Sequence, residues 1–361
     1  MGYMSNRQSV SNSGPWPLGT APSINIVGLD NGAGLSADAR LLQTILQMAG
    51  CRAHWFRGMR PEKWVTRLHR LKVPRWLLPS YDVNLFLEFA HPGWFPFAKM
   101  NVLIPNPEWF REEQHAHLSG IDLVLCKTVD AQRVFQALGK RTLWAGFTAE
   151  DRGGGALAAM SRPMRALHVA GRSEHKGTRQ VIDVWQQHPE WPELTVVQRA
   201  LDAGTLYAPK LPNVRYFSER LSDEAVIALQ REHAIYILPS EVEGYGQSLV
   251  EGMSLGAIVI TTDAAPMNEL VTPDRGVLVQ ARAGEPFRLG NRYQVIASAL
   301  DRAVADVLTW SPERCEEIGS AARAWYLQND RRFRAEFPKV LATLLTDSPV
   351  VNPPVRGDGA G

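Results

Sequence analysis

Short apolar runs alternate with amphipathic stretches along the first half of the chain. The apolar runs, the last of them weaker, lie at residues 24–29, 83–87, 101–104, 123–126 and 142–145. After the first run, apolar residues recur at helical spacing from about Ser36, and Gly50 is a suitable end for that helix. Strands that alternate with helices predict a parallel, doubly wound sheet.

The same alternation restarts after a glycine-rich stretch at residues 151–155, which is typical of a linker. Strands are predicted at residues 165–170, 194–198, 214–217, 234–238, 257–262 and 276–279. Helices are predicted at residues 178–188, 223–232, 247–255, 293–308 and 313–345. Ser222 is a suitable N-cap for the second of these helices, because its hydroxyl group can accept from the first turn.

The pattern therefore predicts an α/β protein of two Rossmann-like, doubly wound domains that face each other across a cleft. We place the first domain at residues 23–152 and the second at 153–330. A helix at 331–346 is expected to pack back on the first domain. Residues 1–22 and 347–361 are rich in small and polar residues and in proline, so we predict a disordered lead and a disordered tail.

The composition is that of an ordinary globular protein, with 45% hydrophobic and 21% charged residues among 361. No stretch approaches the roughly 18 apolar residues of a membrane span. The three cysteines are scattered, which favours reduced thiols in a cytoplasmic protein over disulfides or zinc. His115 and His117 have a spacing that separates them on a helix, so we predict no metal site and no cofactor.

The most informative stretch runs from residue 239 to 253, where Pro239-Ser240 follows a buried strand and Gln247 opens a helix. Glycines allow the backbone to approach a ligand, and a helix N-terminus offers free N–H groups to phosphate. Glu243 lies in the loop and Glu251 one turn into the helix, so one carboxylate can bind sugar hydroxyl groups and the other ribose. The pattern alone fits equally well a first-turn acid and a surface glutamate.

This stretch resembles the Glu-x7-Glu signature of retaining glycosyltransferases with the GT-B fold, in particular glycosyltransferase family 4 (group 1). The resemblance is close over residues 234–271 and looser over the rest of the second half. It implies that Glu243 contacts the transferred sugar and that Glu251 binds the ribose. It places the donor beside the loop and helix start formed by Gly244, Tyr245, Gly246 and Gln247.

Two further loops agree with a nucleotide-sugar donor. Arg172 and Lys176, in the loop 171–177 between a strand and a helix, are suited to clamp a diphosphate and so to take a catalytic role. This loop resembles the family's Gly-Arg…Lys-Gly element, although a basic connector is the simpler interpretation of these residues alone. In the first half, Gly32 and Gly34 resemble the family's glycine-rich loop near the diphosphate.

The acceptor side is less defined, because no histidine stands where the family commonly places one at the end of a first-domain strand. Glu88, His91 and Asn106 follow predicted strands and are the candidates. In the second half, Glu269 fits an acid of the family in a loop that is otherwise less glycine-rich than usual.

A basic segment at residues 52–75 carries eight Lys and Arg residues against the single acid Glu62, interleaved with Trp and Leu. Such a segment favours contact with an anionic acceptor, a nucleic acid or an anionic membrane surface. The last of these predicts a cytoplasmic protein that associates peripherally with membranes. A solvated face of an amphipathic helix explains the pattern equally well.

The function expected from these features is metal-independent, retaining transfer of a hexose from a UDP- or GDP-sugar. The acceptor could be a glycan, a glycolipid, a nucleic acid or a small molecule. One alternative is a sugar-nucleotide epimerase on the same scaffold. Another is a GT-B-shaped protein without catalysis that binds nucleic acid or anionic lipid. A dehydrogenase is the weakest alternative, because the first-half glycine loop does not complete a dinucleotide motif.

Overall fold

A computed structural model of the protein describes residues 16, 21–32, 34–58, 80–154, 162–199 and 206–347. The strands are β1 (Ser23–Val27), β2 (Arg52–Phe56), β3 (Tyr81–Leu87), β4 (Ala98–Ile104), β5 (Leu123–Cys126), β6 (Thr142–Trp144), β7 (Ala166–Gly171), β8 (Leu194–Gln198), β9 (Val214–Phe217), β10 (Ile235–Leu238), β11 (Ile258–Thr262), β12 (Val277–Val279), β13 (Ala281–Ala283) and β14 (Tyr293–Val295). The α-helices are α1 (Gly34–Met48), α2 (Val129–Ala137), α3 (Thr178–Gln187), α4 (Asp223–Glu232), α5 (Gln247–Ser254), α6 (Met267–Leu270), α7 (Ala297–Leu308) and α8 (Pro312–Asp347). Short 3-10 helices lie at Pro92–Phe97, Pro107–Trp109 and Glu112–Gly120.

The first sheet contains six parallel strands in the order β2-β1-β3-β4-β5-β6. Its central strands are buried on both faces: Ile24, Val83 and Val102 are fully buried, and the buried side chains of Asn25 and Asn84 hydrogen-bond to each other at 3.0 Å. Continuous burial is what a parallel sheet covered by helices requires. The strand order reverses between β1 and β3, so a ligand is expected outside the carboxyl ends of those strands.

The second sheet also contains six parallel strands, in the order β12-β11-β10-β7-β8-β9. This order reverses between β7 and β10, which again marks the carboxyl ends of two neighbouring strands as a ligand site. The prediction of two doubly wound halves is therefore confirmed. The predicted N-cap of α4 is present as well, because the Ser222 hydroxyl accepts from the backbone N–H of Ala225 at 3.2 Å.

Three local predictions were wrong. The helix expected from residue 293 starts only at Ala297, because Tyr293–Val295 pairs with Ala281–Ala283 as the antiparallel hairpin β13–β14. Strand β4 begins at Ala98, three residues earlier than predicted. Residues 52–56 of the basic segment form strand β2 rather than a helix. Local periodicity does not reveal β2 and the β13–β14 hairpin because a strand is stabilised by its pairing partner, which the residues of one strand do not specify.

Strand β2 also changes the interpretation of the basic segment at its amino end. Trp55 is 5% exposed and its Nε1 donates to the backbone oxygen of Gly28 at 3.0 Å, so this ring is part of the first-domain core. Arg57 follows the strand and lies 3.7 Å from Asp30. Residues 59–75 of the segment lie outside the described residues, and their contact with an anionic partner stays a prediction.

Helix α8 contacts elements of both domains. Phe333, Phe337 and Leu341 are buried in one apolar cluster with residues of α1 and α5. The side chain of Asn329 donates to the backbone oxygen of Phe147 at 2.8 Å, and the hydroxyl group of Thr148 donates to Asp330 at 3.0 Å. The domain limits proposed from the sequence stay a prediction. Among the described residues, no helix is long and apolar enough to cross a membrane.

A second bridge between the domains forms at Glu269. Its carboxylate accepts from the backbone N–H groups of Val129 and Asp130 at 2.7 and 2.8 Å. These are the first residues of helix α2, where unpaired N–H groups and the helix dipole favour an acid. A carboxylate of the second domain thus caps a helix of the first.

Candidate functional site

A cavity of about 500 Å³ separates the carboxyl ends of the two sheets. The second domain contributes Gly171, Arg172 and Lys176 after β7, and the loop from Glu243 to Ser248 between β10 and α5. The first domain contributes residues that follow β1, β3, β4 and β5. Both points at which the strand order reverses therefore open into one interdomain cavity.

Arg172 and Lys176 lie on the loop between β7 and α3, as the sequence predicted. The loop ends at Gly177, which has a φ of 68° and caps helix α3. A Cβ atom there would lie 2.4 Å from the backbone oxygen of Pro239, so only glycine fits this approach of the two loops. Lys176 Nζ forms an ion pair with Glu243 Oε1. The proposed diphosphate clamp and the proposed sugar-binding acid are thus adjacent.

The glycine loop of the second domain lies against the first domain. A Cβ atom on Gly244 would be 2.7 Å from both the Asn106 side chain and Glu108 Oε2. Gly246 has a φ of 104° and precedes helix α5, so the loop needs glycine for close approach and for its turn. Tyr245 is buried, and its hydroxyl group donates to the backbone oxygen of Phe147 at 2.6 Å.

A chain of polar contacts lines the first-domain side. Lys127 Nζ lies 2.6 Å from Asp38 Oδ2 and 3.0 Å from Asn106 Oδ1, and Asn106 Nδ2 donates to Glu88 Oε1 at 3.2 Å. The side chains of Lys127 and Asp38 are each only 5% exposed. Gln247 of the second domain donates to the other Asp38 oxygen, so this chain also crosses between domains.

Sequence reasoning missed Asp38, Lys127 and Glu108 as site residues, although signals for them existed. Lys127 follows strand β5 immediately, and Glu108 follows β4 by four positions, where the strand-end rule applies. Asp38 lies on the apolar face of α1, between Leu35 and Leu42. A charged residue on a buried face requires a partner of opposite charge or a hydrogen-bond donor. The identity of that partner required the tertiary structure.

Glu108 is a buried acid that faces the cavity with one oxygen lacking a partner. Its side chain belongs to a residue only 7% exposed, and Oε2 has no hydrogen-bond partner among the described residues. Burial raises the pKa of this carboxyl group to about 8, and the nearby charge of Glu243 adds to the shift. Glu108 therefore carries a proton at neutral pH and can donate a hydrogen bond into the cavity. Burial likewise raises the pKa of Glu88, against the opposing effects of Lys127 and Asn106.

We expect the Glu108→Gln variant to gain stability relative to the wild type as the pH rises from about 4.5 to 8. In the unfolded wild type the carboxyl group ionises near pH 4.3, whereas the folded protein keeps its proton up to about pH 8. The stability that the protonated Glu108 contributes to the folded wild type is therefore fully present below the pKa of the unfolded state. It decreases as the pH rises, by no more than about 1.4 kcal/mol per pH unit, and is lost when the pH reaches the folded pKa of about 8. Denaturant unfolding at several pH values measures the difference.

The exposed Glu112 provides a matched control, and Glu112→Gln should follow the wild-type pH curve. Parallel unfolding curves for wild type and Glu108→Gln between pH 5 and 8 would show that Glu108 is ionised in the folded protein.

Of the other residues named from the sequence, Glu251, His91 and Gly32 do not line the cavity. Glu251 is in helix α5 as predicted, but its oxygens accept from Arg152 at 2.7 Å and Gln230 at 2.8 Å. His91 occupies the N-cap position of the 3-10 helix Pro92–Phe97. Gly34 lines the cavity next to Gln247, whereas Gly32 faces the Arg220 side chain of the second domain. The roles proposed for these residues stay predictions.

In the described part of the chain, no group of three or more His, Cys, Asp or Glu side chains could hold a metal ion. His115 and His117 do not share a site: His115 stacks beside Phe110, and His117 Nδ1 lies 3.2 Å from the backbone oxygen of Ala90.

Comparison with known proteins places this site in context. Residues 206–325, which include Glu243 and Glu251, match the family model described as "Glycosyl transferases group 1". A lipopolysaccharide core biosynthesis mannosyltransferase of Rhizobium leguminosarum bv. viciae is 29% identical over 154 residues. That match spans 36% of this chain and 40% of the relative, so the chain is aligned with well under half of that enzyme.

Solved structures share the whole architecture at low identity. Sucrose-phosphate synthase from Thermosynechococcus elongatus superposes with a TM-score of 0.68 and 15% identity, covering 90% of this chain and 99% of that one. HepE of Anabaena, solved in complex with UDP and glucose, gives a TM-score of 0.63 and 15% identity over 91% and 100% of the two chains. The fold is GT-B, and the second domain carries the group 1 glycosyltransferase sequence pattern. The resemblance drawn from the Glu-x7-Glu stretch is confirmed at this level.

Proposed function

We propose that the protein transfers a hexose from a UDP- or GDP-sugar to an acceptor in the interdomain cavity, with retention of anomeric configuration and without a metal. One observation carries this proposal. Arg172, Lys176 and Glu243 lie together on one wall of a cavity whose opposite wall, formed by the first domain, carries Glu88 and Asn106. A GT-B fold, a group 1 sequence match and a relative that transfers mannose support the same chemistry.

In the proposed reaction the main barrier is the departure of a nucleoside diphosphate. Arg172 and Lys176 offset the charge that develops on the leaving phosphate, and positioned charges of this kind provide a large share of enzymatic rate enhancement. Glu243 accepts hydrogen bonds from the sugar hydroxyl groups and positions the anomeric carbon, whose bond to the phosphate oxygen breaks while its bond to the acceptor oxygen forms on the same face. The donor phosphate takes the proton of the acceptor hydroxyl on the same face, so no protein base is assigned.

Close contact of the domains protects this reaction from water. Gly244 packs on Asn106 and Glu108, and Gln247 bonds to Asp38, so both walls meet directly beside the donor loop. Excluding water strengthens the electrostatic contacts and suppresses hydrolysis of the donor.

A thermal-shift screen against nucleoside diphosphates and their sugars tests the donor assignment, because a ligand that binds only the folded state raises its melting temperature. The proposal requires stabilisation by UDP or GDP, followed by sugar transfer in EDTA with a product anomer that matches the donor. Conversion of the donor sugar without an acceptor would identify an epimerase instead. Steeply salt-dependent binding to nucleic acid or anionic lipid with no response to nucleotides would favour a binding protein.

The Glu243→Gln and Glu251→Gln variants are expected to affect different kinetic constants. Glu243 is assigned to the transferring sugar, so its loss should lower kcat by about 10- to 100-fold. Glu251 is assigned to the ribose, so its loss should chiefly raise the donor KM. Steady-state kinetics with the stabilising donor measures both constants.

Thermal unfolding serves as the control for Glu251→Gln, because this change also removes the ion pair with Arg152. A lower melting temperature with an unchanged donor KM would assign Glu251 to structure alone. Wild-type kinetics in both variants would place the donor elsewhere. The exposed Glu224→Gln variant should behave as wild type throughout.

A further inference from the structure

The tip of the β13–β14 hairpin crosses from the second domain to the first at the rim of the cavity. Arg288 Nη1 donates to the backbone oxygen of Glu108 at 3.3 Å and to that of Trp109 at 3.1 Å. A Cβ atom on Gly290 would lie 3.2 Å from the Cβ atom of Glu108. Leu289 packs against the apolar cluster of the first domain. The hairpin tip thus forms part of the acceptor-side wall.

The guanidinium group of Arg288 is held in place by two aromatic rings. It lies 5.0 Å from the ring centre of Trp109 and 5.0 Å from that of Phe287. Nη1 donates both hydrogen bonds to the backbone, and among the described residues no hydrogen bond is donated by Nη2 or Nε. The planar group therefore offers its remaining N–H donors to the cavity in a fixed orientation.

The backbone of Arg288 is strained, with a φ of 57°. Glu88 has a φ of 65°, and within the described ranges these two are the non-glycine residues with positive φ. Both line the same cavity. Side chains rarely adopt this conformation unless the surrounding contacts enforce it, and such strain concentrates at functional sites.

The charges that line the cavity are unequally paired. Lys127 and Lys176 form ion pairs with Asp38 and Glu243. In the part of the chain that the structure describes, the three cavity-lining arginines, Arg111, Arg172 and Arg288, have no carboxylate within 4.0 Å.

Arg172 is accounted for by the donor diphosphate in the proposed function, since it follows β7 of the donor-side sheet. Arg111 and Arg288 are not accounted for. Arg288 lies over the ring of Trp109, which follows β4 of the first domain and is 38% exposed, and Arg111 follows Trp109 by two positions. Two cations that line the cavity therefore have no role assigned to them in donor binding.

We propose that the acceptor carries an anionic group, a phosphate monoester or a carboxylate, and that Arg111 and Arg288 bind this group at the rim of the cavity. Guanidinium groups suit both anions because they donate two parallel hydrogen bonds to adjacent oxygens. This inference rests on the proposed function and specifies its acceptor as an anionic sugar or glycan.

The acids that line the cavity do not cancel this positive charge. Asp38 is paired with Lys127, and Glu243 with Lys176. Burial raises the pKa of Glu88, against the opposing effects of Lys127 and Arg288. The raised pKa of Glu108 keeps that group neutral at pH 7. An anion at the rim therefore meets a positive balance rather than a ring of carboxylates.

Binding of defined sugars to protein saturated with UDP or GDP tests the proposal, because the nucleotide occupies the Arg172 and Lys176 clamp first. The probes are mannose 6-phosphate, galacturonate and the neutral methyl α-mannoside, titrated by calorimetry. We expect one anionic sugar to bind at least about 10-fold more tightly than the neutral one. The affinities of mannose 6-phosphate and galacturonate show whether phosphate or carboxylate is the anion recognised. Titration with inorganic phosphate measures the affinity for the anion without the sugar.

The Arg111→Gln/Arg288→Gln variant should reduce the preference for the anionic sugar to less than about 3-fold while keeping nucleotide affinity. The Arg288→Lys variant keeps the positive charge but loses the paired N–H donors of the guanidinium group, so it should retain part of the preference for the anionic sugar. The matched control is Arg282→Gln on the same hairpin, an exposed residue that does not line the cavity and should bind as wild type.

Equal affinity for neutral and anionic sugars, no binding of either anionic sugar, or an unchanged preference in the double variant would overturn the inference. Inorganic phosphate that binds as tightly as the sugar phosphate would do so too, because the sugar would add nothing. Failure of UDP and GDP to stabilise the protein would instead overturn the proposed function, so the two failures are distinguishable.

Discussion

Nucleoside diphosphate binding is expected to weaken by about 100- to 10,000-fold when Arg172 and Lys176 are both replaced by alanine. Each residue is assigned a charge-assisted hydrogen bond to phosphate, worth about 1.5–3 kcal/mol. Both residues line the cavity from the loop between β7 and α3, where the amino end of the helix adds a favourable field for anions. Calorimetric titration with UDP and GDP gives the affinity of each variant.

The control for this double variant is Arg179→Ala on the adjacent helix. Arg179 is 74% exposed, pairs with Asp183 at 3.8 Å and does not line the cavity, so its loss should leave nucleotide affinity unchanged. Thermal unfolding must accompany the titration, because removing Lys176 leaves Glu243 without its ion-pair partner. A folded double variant that binds UDP and GDP as tightly as wild type would show that the diphosphate lies elsewhere.

The second large effect is expected on stability, where Lys127→Met should cost about 3–5 kcal/mol. Lys127 and Asp38 are each 5% exposed and lie 2.6 Å apart. Burial raises the pKa of Asp38, and Lys127 opposes that shift. Without the lysine, the buried carboxyl group must either stay charged with no countercharge or bind a proton, and both cost more than losing the attraction alone. The double variant Lys127→Met/Asp38→Asn removes both charges and should recover much of the loss.

An exposed ion pair of similar length gives the comparison for this prediction. Lys99 and Asp82 lie 2.7 Å apart, but Lys99 is 71% exposed, so Lys99→Met should cost less than about 1 kcal/mol. Denaturant unfolding measures all three variants. A Lys127→Met variant that unfolds like Lys99→Met, with no recovery in the double variant, would show that Asp38 is neutral or solvated in the folded protein.

The sequence predicted the architecture because its signals are local and repeated. Strand boundaries at 194–198 and 214–217 and the Ser222 cap were predicted from apolar runs and one polar residue. A strand whose residues are all apolar must be buried on both faces. Where such strands alternate with helices along the chain, this requires a parallel sheet that is covered by helices on both sides. The donor loop was recognisable because glycines, a helix start and two glutamates occupy a fixed spacing along 15 consecutive residues, 239–253.

The strands that the sequence missed are those whose stability comes from distant partners. Strand β2 pairs with β1, and β13 pairs with β14 across a connection of nine residues, 284–292, whose tip touches the first domain. Nothing in the local pattern of residues 281–295 indicates that Arg288 would reach the backbone of Glu108. Such contacts follow from domain packing, since hydrophobic and polar periodicity reports only one face of one element at a time.

The sequence alone determined the two-domain α/β architecture, the GT-B resemblance and the loops that carry Arg172, Lys176 and Glu243. The tertiary structure decided which charges face one another. It paired Lys127 with Asp38 across 89 positions of sequence and left Glu108 buried with an unpartnered oxygen. It also turned Glu251 toward Arg152. The physical reason is that the pKa and role of a charged group depend on burial and on neighbours within a few ångströms, which local sequence does not specify.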